Sequence, residues 1–282
     1  IKLFRQGAKD IRLNDTKISQ KELIGTLNTV IFCPEDLQLI KGTPSGRRRF
    51  LDMEISQTSA TYYHQLMQYN RLLQQRNAIL KEYRGKQNIP LEEWDLQLAD
   101  MASFIVKKRL ESLKKINLLI DLMNRKLTGG LENLTIGYEQ PYMDNGSLEY
   151  TKEGFYERIK AALPQDRHRM TTSVGPHRDD LRFFSDAMDL KKFGSQGQQR
   201  TAVLSLKLSE LEFIKSEVGE YPVLLLDDVL SELDESRRAN LLQFIHKRIQ
   251  TFITTTDIHD FKDLKSVQFI SCEGGKVQYG QP

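Results

Sequence analysis

Two adjacent carboxylates, Asp227 and Asp228, directly follow the apolar run from Val223 to Leu226. Such a run predicts a strand that is buried on both faces, as in the centre of a parallel sheet. Open α/β sheets bind ligands at the carboxyl ends of their strands. A carboxylate there is costly unless a cation offsets its charge, and a nucleotide-bound Mg²⁺ would do so. We therefore predict that Asp227 is a metal-site acid and Asp228 orients or deprotonates a water. The alternative is that the pair only caps the following turn.

A second candidate site is the loop before the helical pattern that contains Ala202. Glycine and serine at a helix start allow a phosphate to approach the free backbone N–H groups, and the helix dipole favours a negative charge there. The Ser195 hydroxyl and a positive charge from Arg200 or Lys207 would add to this attraction. The alternative is an ordinary helix start with Ser195 as its cap. The candidate residues are Ser195, Gln196, Gly197, Gln198, Gln199 and Arg200.

The elements that must position these residues begin with a β-rich segment, residues 1–33. Within it, Asn14 and Asp15 predict a turn between two short strands. The segment Pro34–Gly42 predicts a short helix that ends at Gly42.

From Ser45 to Gly130, apolar residues recur at helical spacing and predict helices that fold back as an antiparallel pair. Strands and helices alternate afterwards, which favours a parallel α/β sheet. We therefore predict that residues 1–52 and 131–282 build one α/β body and that residues 53–130 are an inserted helical arm.

Composition sets wider limits on function. The 282 residues carry a net charge of +3, which is too mild to establish nucleic-acid binding without clustering. No apolar stretch approaches the ~20 residues that span a bilayer, and no leader pattern opens the chain. We expect a cytoplasmic protein that does not enter a membrane, with Cys33 and Cys272 as small buried residues. The basic clusters, each most simply a solvated face, are Arg47-Arg48-Arg49, Lys107-Lys108-Arg109, Lys114-Lys115 and Arg167-His168-Arg169.

Taken together, the two candidate sites resemble those of ABC-type ATPases. The resemblance extends to a third motif, the D-loop of that class, which here is Ser231, Glu232, Leu233 and Asp234. It implies that the loop at 195–200 is the signature motif, which contacts the γ-phosphate of ATP held by the other subunit. Two protomers would then enclose two ATP molecules, with Mg²⁺ at Asp227, as an ATP-dependent homodimer.

Further motifs narrow the resemblance to the RecF family over essentially the whole chain. They are GPHRDDL at Gly175–Leu181, SQGQQR at Ser195–Arg200, PEDLQLIKG at Pro34–Gly42 and RRRFLD at Arg47–Asp52. The implied fold class is α/β: an ABC-type, SMC-like ATPase head, with a mixed or parallel sheet and flanking helices, and an inserted antiparallel helical lobe. The implied function is ATP-dependent DNA binding in replication, gap repair, recombination and the SOS response. RecR, RecO and RecA would be partners, and double-stranded DNA or a single/double-strand junction the target.

The same resemblance suggests weaker site assignments. Gln38 is a candidate Q-loop residue, or an exposed polar residue on a helix. Thr256, in the segment 254–257, lies where ABC proteins have a switch residue; the family switch is commonly a histidine, and His259 is near. For His177 and Arg178, a structural role and a DNA or nucleotide contact are equally compatible with the sequence.

One expected motif is absent from the sequence. Neither Gly85-Lys86 nor Gly275-Lys276 fits the phosphate loop G-x-x-x-x-G-K-[ST]. Family members carry that loop near the N-terminus, so we expect a segment to precede Ile1. The intact protein is expected to be a weak, DNA-stimulated ATPase, and the chain as given to be inactive. The rival hypothesis is a non-enzymatic scaffold that binds DNA and RecR-type partners.

Overall fold

The longer parallel strands, such as Thr29–Phe32 and Val223–Asp227, form from short runs that are mainly apolar or β-branched. The computed structural model describes residues 2–3, 9–86, 89–130, 132–142, 150–256, 261 and 267–279. The strands are β1 (Lys2–Leu3), β2 (Lys9–Asp10), β3 (Arg12–Leu13), β4 (Thr16–Lys17), β5 (Thr29–Phe32), β6 (Leu134–Glu139), β7 (Asp180–Ser185), β8 (Met188–Asp189), β9 (Val223–Asp227), β10 (Thr251–Thr254), β11 (Ile270–Glu273) and β12 (Lys276–Tyr279).

Most helices begin at a polar cap or a proline; the helices Gln38–Lys41 and Glu92–Thr128, which follow Leu37 and Leu91, do not. Ser59, Thr151, Ser195 and Asp234 each cap a helix start with a side-chain oxygen. The helices are α1 (Gln20–Leu23), α2 (Gln38–Lys41), α3 (Pro44–Thr58), α4 (Ala60–Glu82), α5 (Glu92–Thr128), α6 (Lys152–Ala161), α7 (Leu163–Arg169), α8 (Leu190–Phe193), α9 (Gln196–Val218) and α10 (Glu235–Ile245).

The sheet that carries the candidate acids has the strand order β10-β9-β5, and both pairings are parallel. Leu224 and Leu226 of β9 are buried, whereas Val223 and Leu225, on the other face, are half-buried. The prediction that this strand is buried on both faces is therefore correct for one face only. Because all three strands are parallel, their carboxyl ends meet at one edge. Asp227 and Asp228 lie at this edge.

Antiparallel pairing builds the remaining sheets. The strands β6, β7 and β8 form one, while β1-β2, β3-β4 and β11-β12 form two-stranded pairs. The predicted turn at Asn14 and Asp15 connects β3 to β4, with positive φ at both residues. Such a turn matches the twist of a two-stranded pair, so this prediction is confirmed.

The helical segment contains α4 and α5, which pack against each other across a short connection. Apolar residues recur along α5, and Leu98, Ile105, Ile116 and Ile120 are all buried. The helix ends at Gly129, whose φ of 69° suits glycine. Besides α4, α5 packs against α6 and α9, and one hydrophobic cluster runs through these elements. The division at residues 53 and 130 stays a prediction.

Two features correct the sequence analysis. Arg47 and Arg109, assigned to solvated basic faces, are buried, because carboxylates distant in sequence pair with them. Cys272 is exposed on β11 and Cys33 is half-buried, so neither is the fully buried residue that we expected. Among the described residues, no helix is both long enough and apolar enough to cross a membrane.

Candidate functional site

The carboxyl edge of the parallel sheet brings Asp227 beside Thr254. The two residues are register partners at the ends of β9 and β10, and the Thr254 hydroxyl donates to Asp227 Oδ1 at 2.6 Å. The Asp227 side chain is exposed. Mg²⁺ in nucleotide sites commonly takes one or two carboxylates and keeps several waters, so Asp227 fits such an ion. No cluster of three or more potential ligand side chains occurs in the described part of the chain.

Asp228 turns the chain sharply out of the strand. Its φ is 52°, in the left-handed region that aspartate and asparagine visit more readily than most residues. Its backbone N–H donates to the Thr254 side chain at 3.1 Å, and the Ser231 hydroxyl donates to its carbonyl at 2.8 Å. These bonds fix the backbone on both sides of an exposed carboxylate. The carboxylate of Asp228 is thus held at the sheet edge, and its action on a water stays a prediction.

The predicted D-loop follows as one tight turn and a helix start. Ser231 contacts Asp228, Leu233 is buried, and Asp234 caps α10 by accepting from the Arg237 N–H at 2.9 Å. The backbone of Glu232 lies in the turn between them. The segment is therefore anchored at both ends, next to the acid pair.

The chain after β5 reaches the same edge of the sheet. Asp36 Oδ2 accepts from the Cys33 N–H at 2.9 Å and closes the first turn. Gln38 then begins α2 and is exposed. Gly42 ends α2 so close to the Gln38 carbonyl that a Cβ there would lie 2.5 Å from it. Gln38 therefore follows the strand next to β9, where a Q-loop residue is expected, and its role stays a prediction.

The predicted signature loop is a rigid helix start. Ser195 Oγ accepts from the Gln198 N–H at 3.1 Å, and the Ser195 N–H donates to Gln198 Oε1 at 3.0 Å. Gln198 Nε2 donates in turn to Glu132 at 3.0 Å. Ser195, Gln196, Gly197 and Arg200 are exposed. The cap interpretation of Ser195 is thus confirmed, and the same geometry leaves this helix start open to an anion.

Two residues do not fit the contacts assigned to them from the sequence. Gln199 is buried, and its amide donates to the Leu190 carbonyl at 2.7 Å. It therefore faces the interior rather than a nucleotide. Lys207 is also buried, and its ammonium lies 3.3 Å from Asp36 and 3.4 Å from Glu210. It cannot supply an open positive field to the loop.

The contact of Lys207 with Asp36 relates the signature loop on α9 to the end of β5. Lys207 contacts Asp36, which lies just beyond the carboxyl end of β5. Lys207 is twelve residues after Ser195 on α9. At 1.5 Å per residue, the loop lies ~18 Å further along the helix axis. Ser195 therefore lies well away, along α9, from the point at which this helix contacts the chain after β5.

The proposed switch segment is partly described. Thr254 contacts Asp227, as stated above, and Thr256 is exposed two residues later. Asp257 and His259 lie outside the described residues. Thr254 is the contact that sequence reasoning missed; its position at the end of a strand next to β9 was the available signal.

The motifs RRRFLD and GPHRDDL meet in a buried ionic network. Arg47 binds both Asp180 oxygens at 2.7 and 2.8 Å, and Arg48 donates to the Asp179 carbonyl at 2.7 Å. Arg109 on α5 binds both oxygens of Asp52 at 3.0 Å and lies 3.3 Å from Asp179 Oδ2. These contacts hold α3 and α5 to the start of β7.

His177 completes this network as a neutral side chain. Its Nε2 lies 3.0 Å from the Thr172 carbonyl, which can only accept, so Nε2 carries the proton and Nδ1 accepts from the Tyr69 hydroxyl at 2.6 Å. Burial, followed by the nearby charges of Arg178, Arg48 and Arg109, lowers the pKa of His177 to about 4. Of the two sequence interpretations of this residue, the structural one fits.

A central parallel sheet with an acid pair at its edge, a separate signature-type helix start and an inserted helical lobe define an ABC-type ATPase head of the SMC-like kind. Over 268 residues, the chain is 48% identical to the DNA replication and repair protein RecF of Alkaliphilus oremlandii, covering 94% of this chain and 73% of that protein. The RecF of Halothermothrix orenii is 45% identical over 270 residues, which cover 93% of this chain and 72% of that protein. The chain belongs to the RecF family.

A solved structure extends the match to three dimensions. The recombination mediator protein RecF, determined with ATP as part of the RecFOR pathway, is 36% identical to this chain. It superposes with a TM-score of 0.88 over 98% of this chain and 74% of the other. No protein-family profile matched the chain.

Proposed function

We propose that the protein is an ATP-switched DNA-binding recombination mediator that acts in gap repair as a homodimer around ATP. Asp227 would hold the nucleotide-bound Mg²⁺, whose positive charge would offset the developing charge on the phosphates. Asp228 would orient or deprotonate the attacking water. DNA is the target, and RecR and RecO are the partners with which it would help to load RecA.

The separation of the two candidate surfaces carries this proposal. Asp227 and Asp228 lie at the sheet edge, whereas Ser195 and Gly197 lie at the exposed start of α9, on the order of 18 Å further along that helix. With this displacement, we expect that one chain would not close both surfaces on one nucleotide. Two chains can, if each offers its helix start to the nucleotide held by the other. The ATP named for the similar RecF structure supports the choice of nucleotide.

Sedimentation of the intact gene product with and without Mg-ATP tests the proposal. We expect ATP to double the mass and Ser195→Arg to prevent this, because a bulky cation would occupy the helix start. The matched control is Ser19→Arg, since Ser19 forms the same type of capping box at α1. Loss of dimerisation in both variants, or a mass that does not respond to ATP, contradicts the proposal. An unresponsive mass would favour the scaffold hypothesis.

A further inference from the structure

A cavity of about 500 Å³ opens between α3 and α4, beside the loop that contains His177. Its size falls within the ~300–1,000 Å³ that is usual for small-ligand sites. None of the residues assigned above to ATP, metal or the dimer contact lines it. It is therefore a second concave surface with no role in the proposed hydrolysis.

The side chains at the floor of the cavity are held by hydrogen bonds to other residues of the protein. Tyr69 and His177 hydrogen-bond each other there, and Arg109 is held by Asp52 and the Pro176 carbonyl at 2.7 Å. Gly175, which precedes this floor, has a φ of 130°, and a Cβ on it would lie 2.3 Å from the Tyr69 hydroxyl. A ligand would meet a fixed surface and displace no internal bond.

One wall of the cavity carries unsatisfied positive charge. Arg48 lines it with one guanidinium nitrogen engaged by the Asp179 carbonyl. Arg49 also lines it, is exposed, and has no ion-pair partner among the residues that the structure describes. Burial, followed by the nearby charge of Arg109, lowers the pKa of Arg48. The carboxylates of Asp179, Asp180 and Asp52 oppose this effect. Asp52 also lines the cavity, where it is paired with Arg109, so the exposed Arg49 is the cation left for an anion to bind.

The α4 side of the cavity is apolar and partly aromatic, with Leu66 and Tyr63 lining it. Met53 also lines the cavity, one helical turn after Arg49 on α3, and is 51% exposed. The Tyr63 ring lies 5.7 Å from that of His64. Two arginines on α3 together with Tyr63 and Leu66 on α4 suit a ligand that has both a phosphate and a flat ring. An acidic peptide would use the arginines, but it has less need of Tyr63 and Leu66.

We propose that this cavity binds one unpaired nucleotide of a DNA strand, with Arg48 and Arg49 on its phosphate and its base against Tyr63 and Leu66. The proposal rests on the DNA-binding function proposed above and adds a preference for DNA that has a single-stranded end. Arginine contacts to phosphate add affinity that falls with salt, while stacking on tyrosine tolerates any base. The preference should therefore be independent of sequence.

The test measures the binding of the intact gene product, in Mg-ATP, to a blunt duplex and to the same duplex with a short single-stranded overhang. Fluorescence anisotropy reports affinity, and 2-aminopurine at the first unpaired position reports stacking. We expect tighter binding to the overhang. Tyr63→Leu should weaken overhang binding by about five- to a hundredfold, with the blunt duplex unaffected. Arg49→Ala should lower the salt slope on the overhang by about one. Lys126→Ala, which removes an exposed cation outside the cavity, is the matched control.

The outcomes separate this inference from the proposed function. If the wild type binds both DNAs equally, or if Arg49→Ala and Tyr63→Leu weaken both equally, the nucleotide site is wrong while ATP-dependent DNA binding stands. If neither variant changes either DNA, the cavity serves another ligand, such as an acidic peptide, and the inference is again wrong. If the wild type binds no DNA in Mg-ATP, both proposals fall.

Discussion

Asp228 combines an unusual backbone conformation with an exposed carboxylate at the sheet edge. Asparagine also adopts left-handed backbone readily, so Asp228→Asn removes the negative charge and preserves the turn. If Asp228 acts on the attacking water, we expect the ATPase rate of the intact protein to fall by roughly 10²- to 10⁴-fold. The ATP-bound dimer should persist, because binding does not require the lost charge. Turnover and sedimentation measure the two effects.

Asp15→Asn is the control for this substitution. Asp15 is also exposed and has a φ of 65°, but it lies in the turn between β3 and β4. Its replacement should leave both turnover and dimerisation unchanged. A rate for Asp228→Asn equal to that of the control would remove Asp228 from the mechanism.

His177 gives the folded protein a pH dependence whose sign follows from its burial. Its folded pKa is about 4, whereas an unfolded histidine titrates near 6.5. Its stabilising effect is complete above about pH 6.5. As pH falls towards 4, the unfolded chain takes up a proton that the folded protein excludes. We expect the free energy of unfolding to fall by up to about 3 kcal/mol over this range from this group alone.

Denaturation of the wild type and His177→Gln across this pH range measures that contribution. The difference between the two proteins isolates His177, because Glu54, whose pKa burial raises to about 7, titrates in both. His64→Gln, at an exposed position of α4, is the control. If the free energies of unfolding of the wild type and His177→Gln differ by the same amount at every pH, the neutral buried state of His177 is refuted.

At the scale of elements, one arginine ties three helices together. Arg76 on α4 is fully buried and binds Asp95 on α5 at 2.6 Å and Asp166 on α7 at 2.7 Å. Arg76→Met would leave both buried carboxylates without their counter-charge, which we expect to cost about 3–5 kcal/mol. Arg71→Met, at an exposed position of the same helix, should change stability by less than about 0.5 kcal/mol. Chemical denaturation measures the free energy of unfolding of both variants. Equal losses would contradict the role of Arg76 in holding the three helices together.

Local sequence signals account for most of these elements. The cap at Ser195, the apolar run of β9 and the stripe on α5 each depend on neighbouring residues, so they can be recognised without a structure. The burial of Arg109 could not be recognised, because its partners Asp52 and Asp179 lie far away in the sequence. A basic run on a helix gives no sign that carboxylates will fold around it.

At the scale of the whole molecule, an exposed aromatic side chain marks the surface proposed to meet the other subunit. Phe193 is 71% exposed and lies two residues before Ser195. We expect Phe193→Ser to weaken ATP-dependent dimerisation by about tenfold, because apolar area that the dimer would bury is lost. Leu118→Ser is the control, since Leu118 is 72% exposed on α5. Sedimentation in Mg-ATP that shows no difference between the variants would place the contact elsewhere.

The candidate site was predictable in its parts but not in its arrangement. Asp227 and Ser195 could be picked out because each stands at the end of a recognisable element. That Thr254 would bond Asp227 depends on the strand order, which the sequence does not specify. Gln199 could not be separated from its exposed neighbours until the rotation of α9 was known.

The ion pairs of Arg109 have a consequence for any attempt to dissect this protein. Because α5 supplies the cation that pairs with Asp52 and Asp179, a head trimmed of its helical lobe would keep Asp179 buried and Asp52 half-buried without the arginine that binds both. Exchange of the lobe for a longer coiled coil would meet the same obstacle unless the graft carried an equivalent arginine. The lobe is thus an insertion in sequence but an integral part of the folding unit, and engineers should transplant the two together.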